Sequence, residues 1–99
     1  MTPPDAPANE ATLSKLLAIK NRLGLHARAA AQLVQTASQF DAEITVGKEG
    51  QVVNGKSIIG LMMLAAAQGT SIEVNVSGPQ AAEALEAIER LVDAKFNEE

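Results

Sequence analysis

The chain has 99 residues, a net charge of −4, two Phe, one His and no Cys, Trp or Tyr. This length is typical of a single domain, and the missing Cys excludes disulfides and thiolate metal sites. One His cannot form a multi-imidazole centre, and an acidic chain with few aromatic rings argues against nucleic acid as a partner, so we expect neither a metal nor a cofactor.

The first segment of the chain, residues 1–13, is rich in Pro and Ala and is predicted to be a flexible tail before one domain at 14–99. It carries no basic stretch followed by an apolar one, and the apolar run Ile58–Ala67 is too short to span a bilayer. We therefore expect a cytoplasmic monomer that makes no membrane contact.

A short strand and a helix follow the tail. The apolar run Lys15–Lys20 predicts a buried strand, and a Gly-containing segment breaks the pattern at 21–25. A helix is then predicted over Ala27–Phe40. Its core face is expected to carry Ala30, Ala31, Val34 and Ala37. His26 thus lies where a loop meets a helix start.

The middle of the chain predicts a hairpin and a second helix. Glu43–Val46 alternates with period two and pairs with Gln51–Val53 through a turn at 47–50. Ser57 is a good N-cap for a helix over Ile58–Ala67, which Gly69 is placed to end. Most of that helix is expected to be core, with part facing outward.

Ser71–Ser77 is the clearest strand, with Ile72, Val74 and Val76 facing the core. A last helix opens at Gly78-Pro79. The order β-α-β-β-α-β-α predicts an α+β open-faced β-sandwich, in which three helices cover one face of a four-stranded antiparallel sheet.

The residues around His26 suit a phosphoryl group. The unpaired N–H groups of a first helical turn and the positive end of the helix dipole favour an anion beside the imidazole. Arg28 can add a charge-assisted contact to phosphate oxygens. The segment from Ala11 to Phe40 holds four basic residues and no acid, which indicates a solvated face or a docking patch for phosphate or an acidic protein.

Two motifs carry a family resemblance. Gly24-Leu25-His26-Ala27-Arg28-Ala29-Ala30 resembles the active-site motif of the histidine-containing phosphocarrier HPr of the phosphoenolpyruvate-dependent sugar phosphotransferase system. Asn54-Gly55-Lys56-Ser57-Ile58-Ile59-Gly60-Leu61-Met62 resembles the regulatory-serine segment of the same family. The resemblance covers about Ser14 to Phe96 and implies the HPr-like form of the sandwich.

The resemblance implies a carrier and not a stand-alone enzyme. His26 would take a phosphoryl group on Nδ1 from Enzyme I and pass it to Enzyme II A components. Arg28 and the backbone N–H groups of Ala27 and Arg28 would lie near the phosphate. Ser57 would be phosphorylated by a dedicated serine kinase and dephosphorylated by its phosphorylase, where the organism has them. The docking face would contain Leu25, Ile58, Ile59 and Met62.

One residue departs from the family pattern. The family usually has Pro after the arginine, and this chain has Ala29. In the first turn of a helix, the N–H that Pro lacks would have no helical acceptor, so both Pro and Ala are compatible with the helix at this position. Ala restricts the backbone less than Pro, and we expect it to loosen the start of the helix slightly.

One further motif match and two other hypotheses compete with this interpretation. Residues 50–57 fit G-x-x-x-x-G-K-[ST], but a strand lies inside that motif, so we interpret this P-loop match as a coincidence. The segments 40–43 and 78–80 resemble the nitrogen-related branch of the family, whose relay regulates other proteins. A non-catalytic interaction module, with His26 as a helix cap only, is the third.

Overall fold

A computed structural model describes residues 12–98 of the chain. The strands are β1 (Leu13–Ala18), β2 (Glu43–Lys48), β3 (Gln51–Asn54) and β4 (Ser71–Ser77), and the helices are α1 (Ala27–Ala37), α2 (Ile58–Met63) and α3 (Ala81–Asp93). The predicted tail lies outside the described residues except at its end, where Leu13 already belongs to β1.

The sheet confirms the predicted architecture. Its strand order is β1-β4-β2-β3, and every neighbouring pair is antiparallel. The central strand β4 alternates as expected, because Ile72 and Val74 are fully buried while Glu73 between them is exposed. The helices cover one face of the sheet, and the other face is open to solvent.

Strand β1 differs from the predicted buried strand. It spans Leu13–Ala18 and lies at one edge of the sheet, with only one face covered by helices. Leu17 is buried on the covered face, whereas Leu16 is 69% exposed on the open face, opposite Glu73. An apolar run therefore does not distinguish a strand buried on both faces from an edge strand buried on one.

Helix α1 ends at Ala37, three residues before the predicted end, and uses a partly different face. Its buried residues are Ala29, Ala30, Leu33 and Ala37. Ala31 and Val34, predicted to be core, are half-buried. The segment is apolar around much of its circumference, so periodicity alone could not select the face that contacts the sheet.

Helix α2 is shorter and more exposed than predicted. It ends at Met63, and the positive φ of 50° at Ala65 prevents its continuation. Gly69, predicted to end the helix, instead lies in the turn before β4, where its N–H donates to the carbonyl of Ile19 at 2.8 Å. Leu61 is the buried residue of this short helix, because it packs along one side only.

The hairpin prediction is confirmed. Strands β2 and β3 are joined by Glu49 and Gly50, whose φ angles of 52° and 85° are those of a type I′ turn. Helix α3 begins at Ala81, after an N-cap at Gln80, so Pro79 precedes the helix and does not occupy its first turn.

The chain ends in a feature that the sequence did not predict. Lys95–Asn97 forms one short turn in which all three residues have positive φ angles, between 53° and 59°. Phe96 is buried within it and anchors the turn to the core. The turn directs Glu98 back toward the loop before α1. No helix in the described part of the chain is long and apolar enough to cross a membrane.

Candidate functional site

His26 is the N-cap residue of α1. Its backbone is extended, with φ −77° and ψ −178°, and its carbonyl accepts the first helical hydrogen bond from the N–H of Ala30 at 2.8 Å. The imidazole is half-buried and does not bond to the helix N–H groups. The ring is therefore held at the helix start without serving as the cap.

The loop before His26 is fixed by close packing at Gly24. This residue has a φ of +66°, and a Cβ atom there would lie 2.4 Å from the carbonyl oxygen of Ala66. The next residue, Leu25, donates its N–H to that same oxygen at 2.8 Å. The segment after α2 therefore positions the loop that carries His26.

Leu25 was predicted to belong to the docking face, and the structure corrects this. Its side chain is only 4% exposed and packs in the hydrophobic core. Leu23, two residues earlier, is 56% exposed and is the apolar side chain that this loop presents to solvent. The short loop buries one leucine and exposes the other, and the residue type alone could not predict which of the two is exposed.

The start of α1 offers backbone donors beside the imidazole. The N–H groups of Ala27, Arg28 and Ala29 have no helical acceptor, and they donate no other hydrogen bond within residues 12–98. Such N–H groups and the helix dipole favour an anion at this position. The contacts of the Ala27 and Arg28 backbone to phosphate stay a prediction, for which these N–H groups are the available donors.

The imidazole has one polar contact. Nδ1 of His26 lies 3.1 Å from the carbonyl oxygen of Gly24. In the tautomer that makes this contact a hydrogen bond, the proton is on Nδ1 and the lone pair of the neutral ring is on Nε2, because a carbonyl oxygen only accepts. The resting ring must therefore lose this contact before Nδ1 can act as a nucleophile.

A pocket of about 330 Å³ surrounds the imidazole. Its lining residues are Leu23, His26, Arg28, Phe96, Asn97 and Glu98. The carboxylate of Glu98 accepts hydrogen bonds from Nδ2 of Asn21 at 3.1 Å and from the N–H of Leu23 at 3.2 Å. The bond from Asn21 is the largest cause of a lowered pKa of Glu98. The end of the chain thus forms one wall of the site.

The basic residues near His26 divide into two groups. Lys15 pairs with Glu89 at 2.7 Å, and Lys20 pairs with Asp93 at 2.9 Å, so two of the four are neutralised by acids of α3. Arg22 and Arg28 are exposed and form no salt bridge with another residue in 12–98. The predicted basic patch is therefore reduced to these two arginines.

Ser57 is the N-cap of α2, as predicted. Its Oγ accepts the N–H of Gly60 at 3.0 Å, and its side chain is half-buried. The preceding residues do not form a phosphate-binding loop, because Asn54 ends the antiparallel strand β3 and a Cβ at Gly55 would lie 2.5 Å from Cγ2 of Ile44. The P-loop match is thus explained by a strand followed by a tightly packed turn.

An exposed apolar surface lies on α2. Its members are Ile58, Ile59, Met62 and Met63, which we call the α2 surface. Their exposed fractions range from 41% at Ile58 to 73% at Ile59. Three of the four predicted docking residues therefore lie on one accessible helix face, and Met63 adds to it.

Comparison with known proteins decides the family. Residues 13–94 match the family described as "PTS HPr component phosphorylation site". The chain belongs to the HPr family. It is 52% identical to the phosphocarrier protein HPr of Neisseria meningitidis serogroup A, over 87% of this chain and 97% of the relative. It is also 46% identical to the phosphocarrier protein NPr of Shewanella violacea, over 87% of this chain and 94% of the relative.

The solved structures agree with this membership. A crystal structure of HPr from Thermoanaerobacter tengcongensis aligns with a TM-score of 0.84 and 44% identity, covering 88% of this chain and 98% of that one. The expected HPr-like fold is confirmed, and so is the expected function as a phosphocarrier of the phosphotransferase system. Family membership implies partners within that system, such as Enzyme I and Enzyme II components.

The sequence did not reveal every residue of the pocket. The sequence pattern marks Asn21 and Leu23 only as part of the break at 21–25, and it gives no role to Glu98. Asn97 is of a residue type enriched at positive φ, which was the one local signal for the last turn. The contact between residues 21 and 98 arises from the fold and has no short-range signature.

Proposed function

We propose that His26 is the phosphoryl acceptor of this phosphocarrier, that it receives the group from phosphorylated Enzyme I on Nδ1, and that it passes the group to Enzyme II A components. The observation that carries the proposal is the position of the imidazole in a pocket, beside helix N–H groups without acceptors in residues 12–98. Arg28 lines the same pocket and supplies an exposed guanidinium.

The chemistry needs little from the protein besides placement. The Nδ1 lone pair of neutral His26 attacks phosphorus while the bond from phosphorus to the donor nitrogen breaks, and the second transfer reverses these roles. The first-turn N–H groups of Ala27 and Arg28 and the guanidinium of Arg28 bind phosphate oxygens. Arg28 contacts those oxygens more strongly as charge spreads over them during transfer.

The experiment is labelling with phosphoenolpyruvate, Enzyme I and magnesium. We expect an acid-labile phosphoryl group on the wild-type chain and none on His26→Ala. Since the chain has one His, a phosphohistidine can lie nowhere else. Ser57→Ala is the matched control and should label as wild type does. An unlabelled wild-type chain would refute the proposal.

Phosphorylation of Ser57 by a serine kinase is a second part of the proposal. The hydroxyl is half-buried at the start of α2, directly before the exposed Ile58 and Ile59. A phosphate of about −1.5 to −2 charge would be tolerated at a helix N-terminus and would disfavour docking of an acidic partner on the neighbouring apolar residues. Incubation with an HPr-type kinase and ATP should label wild type and not Ser57→Ala, and label on both would contradict this assignment.

The α2 surface is proposed as the contact area for Enzyme I and Enzyme II A components, together with Leu23 of the loop. These side chains are apolar and accessible, and the loop of His26 packs against the segment that follows α2. A single copy of the chain contains all of these groups, so we propose that it acts as a monomer. We also propose that it acts in the cytoplasm. The oligomeric state can be checked by sedimentation, at the protein concentrations used for phosphoryl transfer.

The nitrogen-related branch is the second candidate, favoured by 46% identity to a protein named NPr. The two branches differ in the acceptor of the phosphoryl group. The phosphorylated chain should be offered a sugar-type Enzyme II A component and a nitrogen-related one in separate reactions. Faster transfer to the sugar-type acceptor is the expected result, and preference for the other would assign the chain to the regulatory branch.

Membership in a phosphocarrier family disfavours the third hypothesis, a non-catalytic module.

A further inference from the structure

Asn21 is an unusual residue in this loop because its polar side chain is completely buried. Among residues 12–98 it is the only polar or charged residue with a buried side chain, and its exposed fraction is 0%. Its Nδ2 donates to the carbonyl oxygen of Gly24 at 2.7 Å and to Oε2 of Glu98 at 3.1 Å. These bonds satisfy the donor side of the amide, whereas its buried Oδ1 has no hydrogen-bond partner among residues 12–98.

The carbonyl oxygen of Gly24 is shared between two side chains. It accepts from Nδ2 of Asn21 at 2.7 Å and from Nδ1 of His26 at 3.1 Å. A carbonyl oxygen has two lone pairs, so both donors can be accommodated. Gly24 itself is buried and its turn is closed by its N–H, which donates to the carbonyl of Asn21 at 3.2 Å.

We propose that Asn21 is a positioning residue for phosphoryl transfer, which keeps the Gly24 carbonyl oxygen paired while Nδ1 of His26 leaves that oxygen to take the phosphoryl group. This inference rests on the proposed function of His26. Before attack, Nδ1 gives its proton to solvent and Nε2 takes one, so the ring stays neutral. The Nδ1 lone pair then forms the bond to phosphorus as the donor nitrogen leaves.

The physical reason is the cost of an unpaired buried acceptor. With Asn21 present, the departure of the His26 Nδ1–H leaves the carbonyl oxygen of Gly24 with one hydrogen bond, the one from Asn21. Without Asn21, the same departure leaves a buried carbonyl with none, which is unfavourable. His26 would then hold its Nδ1–H on Gly24 more tightly, and the tautomer with a free Nδ1 would be rarer.

Glu98 fixes the direction in which the Asn21 amide points. Both partners of Nδ2 are acceptors, so a reversed amide would place Oδ1 against two oxygens. The second carboxylate oxygen of Glu98 is held by the N–H of Leu23. Glu98 acts as an acceptor in its ionised form, which its lowered pKa favours. The end of the chain thus supports the contact that Asn21 makes at the site.

The test compares Asn21→Ala with wild type in two measurements. The first is the single-turnover rate of transfer from phosphorylated Enzyme I, and the second is the tautomer of His26 from imidazole ¹⁵N NMR. We expect a rate about tenfold lower, the effect of roughly one unsatisfied buried acceptor. We also expect a larger fraction of the Nδ1–H tautomer. A purely structural role would not move the tautomer in this direction.

Two further variants complete the design. Asn21→Ser keeps a small polar side chain in the turn, and it should show the same two changes if Asn21→Ala does not fold. Asn75→Ala is the matched control, because Asn75 is also an asparagine with a side-chain hydrogen bond, which its Oδ1 accepts from Ser14, but it lies on the open face of the sheet. It should transfer at the wild-type rate.

The outcomes separate this proposal from the one on which it rests. Folded Asn21 variants with the wild-type rate and the wild-type tautomer would overturn the role of Asn21 while His26 is still labelled. A wild-type chain that takes no label would overturn the acceptor role of His26 instead, whatever the Asn21 variants show.

Discussion

Asp41 and Gln80 are joined by two reciprocal hydrogen bonds. The N–H of Asp41 donates to Oε1 of Gln80 at 2.7 Å, and the N–H of Gln80 donates to the carbonyl oxygen of Asp41 at 3.0 Å. They connect the loop after α1 to the N-cap of α3. The segments 40–43 and 78–80, which resemble the nitrogen-related branch, therefore meet in one structural contact. Their resemblance reflects packing and does not by itself identify a partner.

The first prediction concerns this contact. Gln80→Ala should lower the free energy of unfolding by about 0.5–1.5 kcal/mol, the usual effect of one lost hydrogen bond. Phosphoryl transfer should stay at the wild-type rate, because neither residue lines the His26 pocket. Denaturant unfolding measures the first quantity and the labelling assay the second. Gln39→Ala, which changes an exposed Gln away from this contact, is the control, and a slower transfer in Gln80→Ala would show that the contact matters for docking.

Gly24 and Gly50 allow a matched test of backbone geometry. Both have positive φ, but a Cβ at Gly24 meets the carbonyl oxygen of Ala66 at 2.4 Å, whereas a Cβ at Gly50 meets nothing within 4 Å. Gly50→Ala should cost about 1–2 kcal/mol from φ alone. Gly24→Ala should cost about 1–3 kcal/mol more, because the backbone must also move. Equal losses of unfolding free energy would mean that the loop of His26 is not fixed by this contact.

The lowered pKa of Glu98 predicts a pH dependence of stability. Its folded-state pKa lies below the unfolded value, mainly through the bond from Asn21. The carboxylate therefore stabilises the fold above the unfolded pKa of about 4.3, and this contribution is lost as the pH falls through the folded pKa. Glu98→Gln should melt below wild type at pH 7, and the difference in Tm should shrink toward pH 3. Glu73→Gln, on the open sheet face, is the control for removal of one carboxylate. A difference in Tm that stays constant with pH would contradict the assignment.

Ala29→Pro restores the residue that the family usually has. Ala29 is the third residue of α1 and its N–H has no helical acceptor, so the ring removes no helical hydrogen bond. The variant should gain about 0.4–1 kcal/mol of unfolding free energy, because Pro restricts the unfolded chain. Ala29 is fully buried, so a measured loss of stability would show instead that the pyrrolidine ring does not fit its neighbours.

A substitution on the α2 surface should weaken the binding of Enzyme I without changing the stability of the fold. Ile59 is 73% exposed, so Ile59→Ser should leave the thermal midpoint nearly unchanged. If Enzyme I docks there, the KM for the carrier should rise about tenfold, as for a residue near the centre of an interface. Leu16→Ser removes an equally exposed apolar side chain from the open sheet face and should leave the KM as it is. Equal effects of both changes would argue against docking on α2.

Much of the fold followed from local patterns. The alternation in β4, the two-residue turn of the hairpin and the Ser57 cap are each set by neighbouring residues, and all three were predicted. The extent of α2 was not, because its end depends on the positive φ of Ala65, a residue type that gives no such signal. The core face of α1 was missed in part, because the helix is apolar on more than one side.

The candidate site was predictable only where its residues are adjacent in sequence. His26 and Arg28 stand in one motif, and the structure places both on the same pocket. Asn21 and Glu98 are 77 residues apart and meet because the last turn folds back over the loop. Leu25 was predicted to be exposed and is buried for a similar reason, since burial in a short loop is decided by what packs against it.

The two salt bridges that Lys15 and Lys20 form with α3 affect the electrostatic field that an approaching partner meets. With Lys15 and Lys20 paired to Glu89 and Asp93, the positive field of the basic segment originates from Arg22 and Arg28. The whole molecule carries −4, so it has little general attraction for an acidic protein. A localised positive region on a negatively charged protein, here called the positive pole, acts mainly by orienting the partner as the two molecules meet. We therefore expect association rates to fall with ionic strength when the pole is intact and to lose much of that dependence in Arg22→Gln.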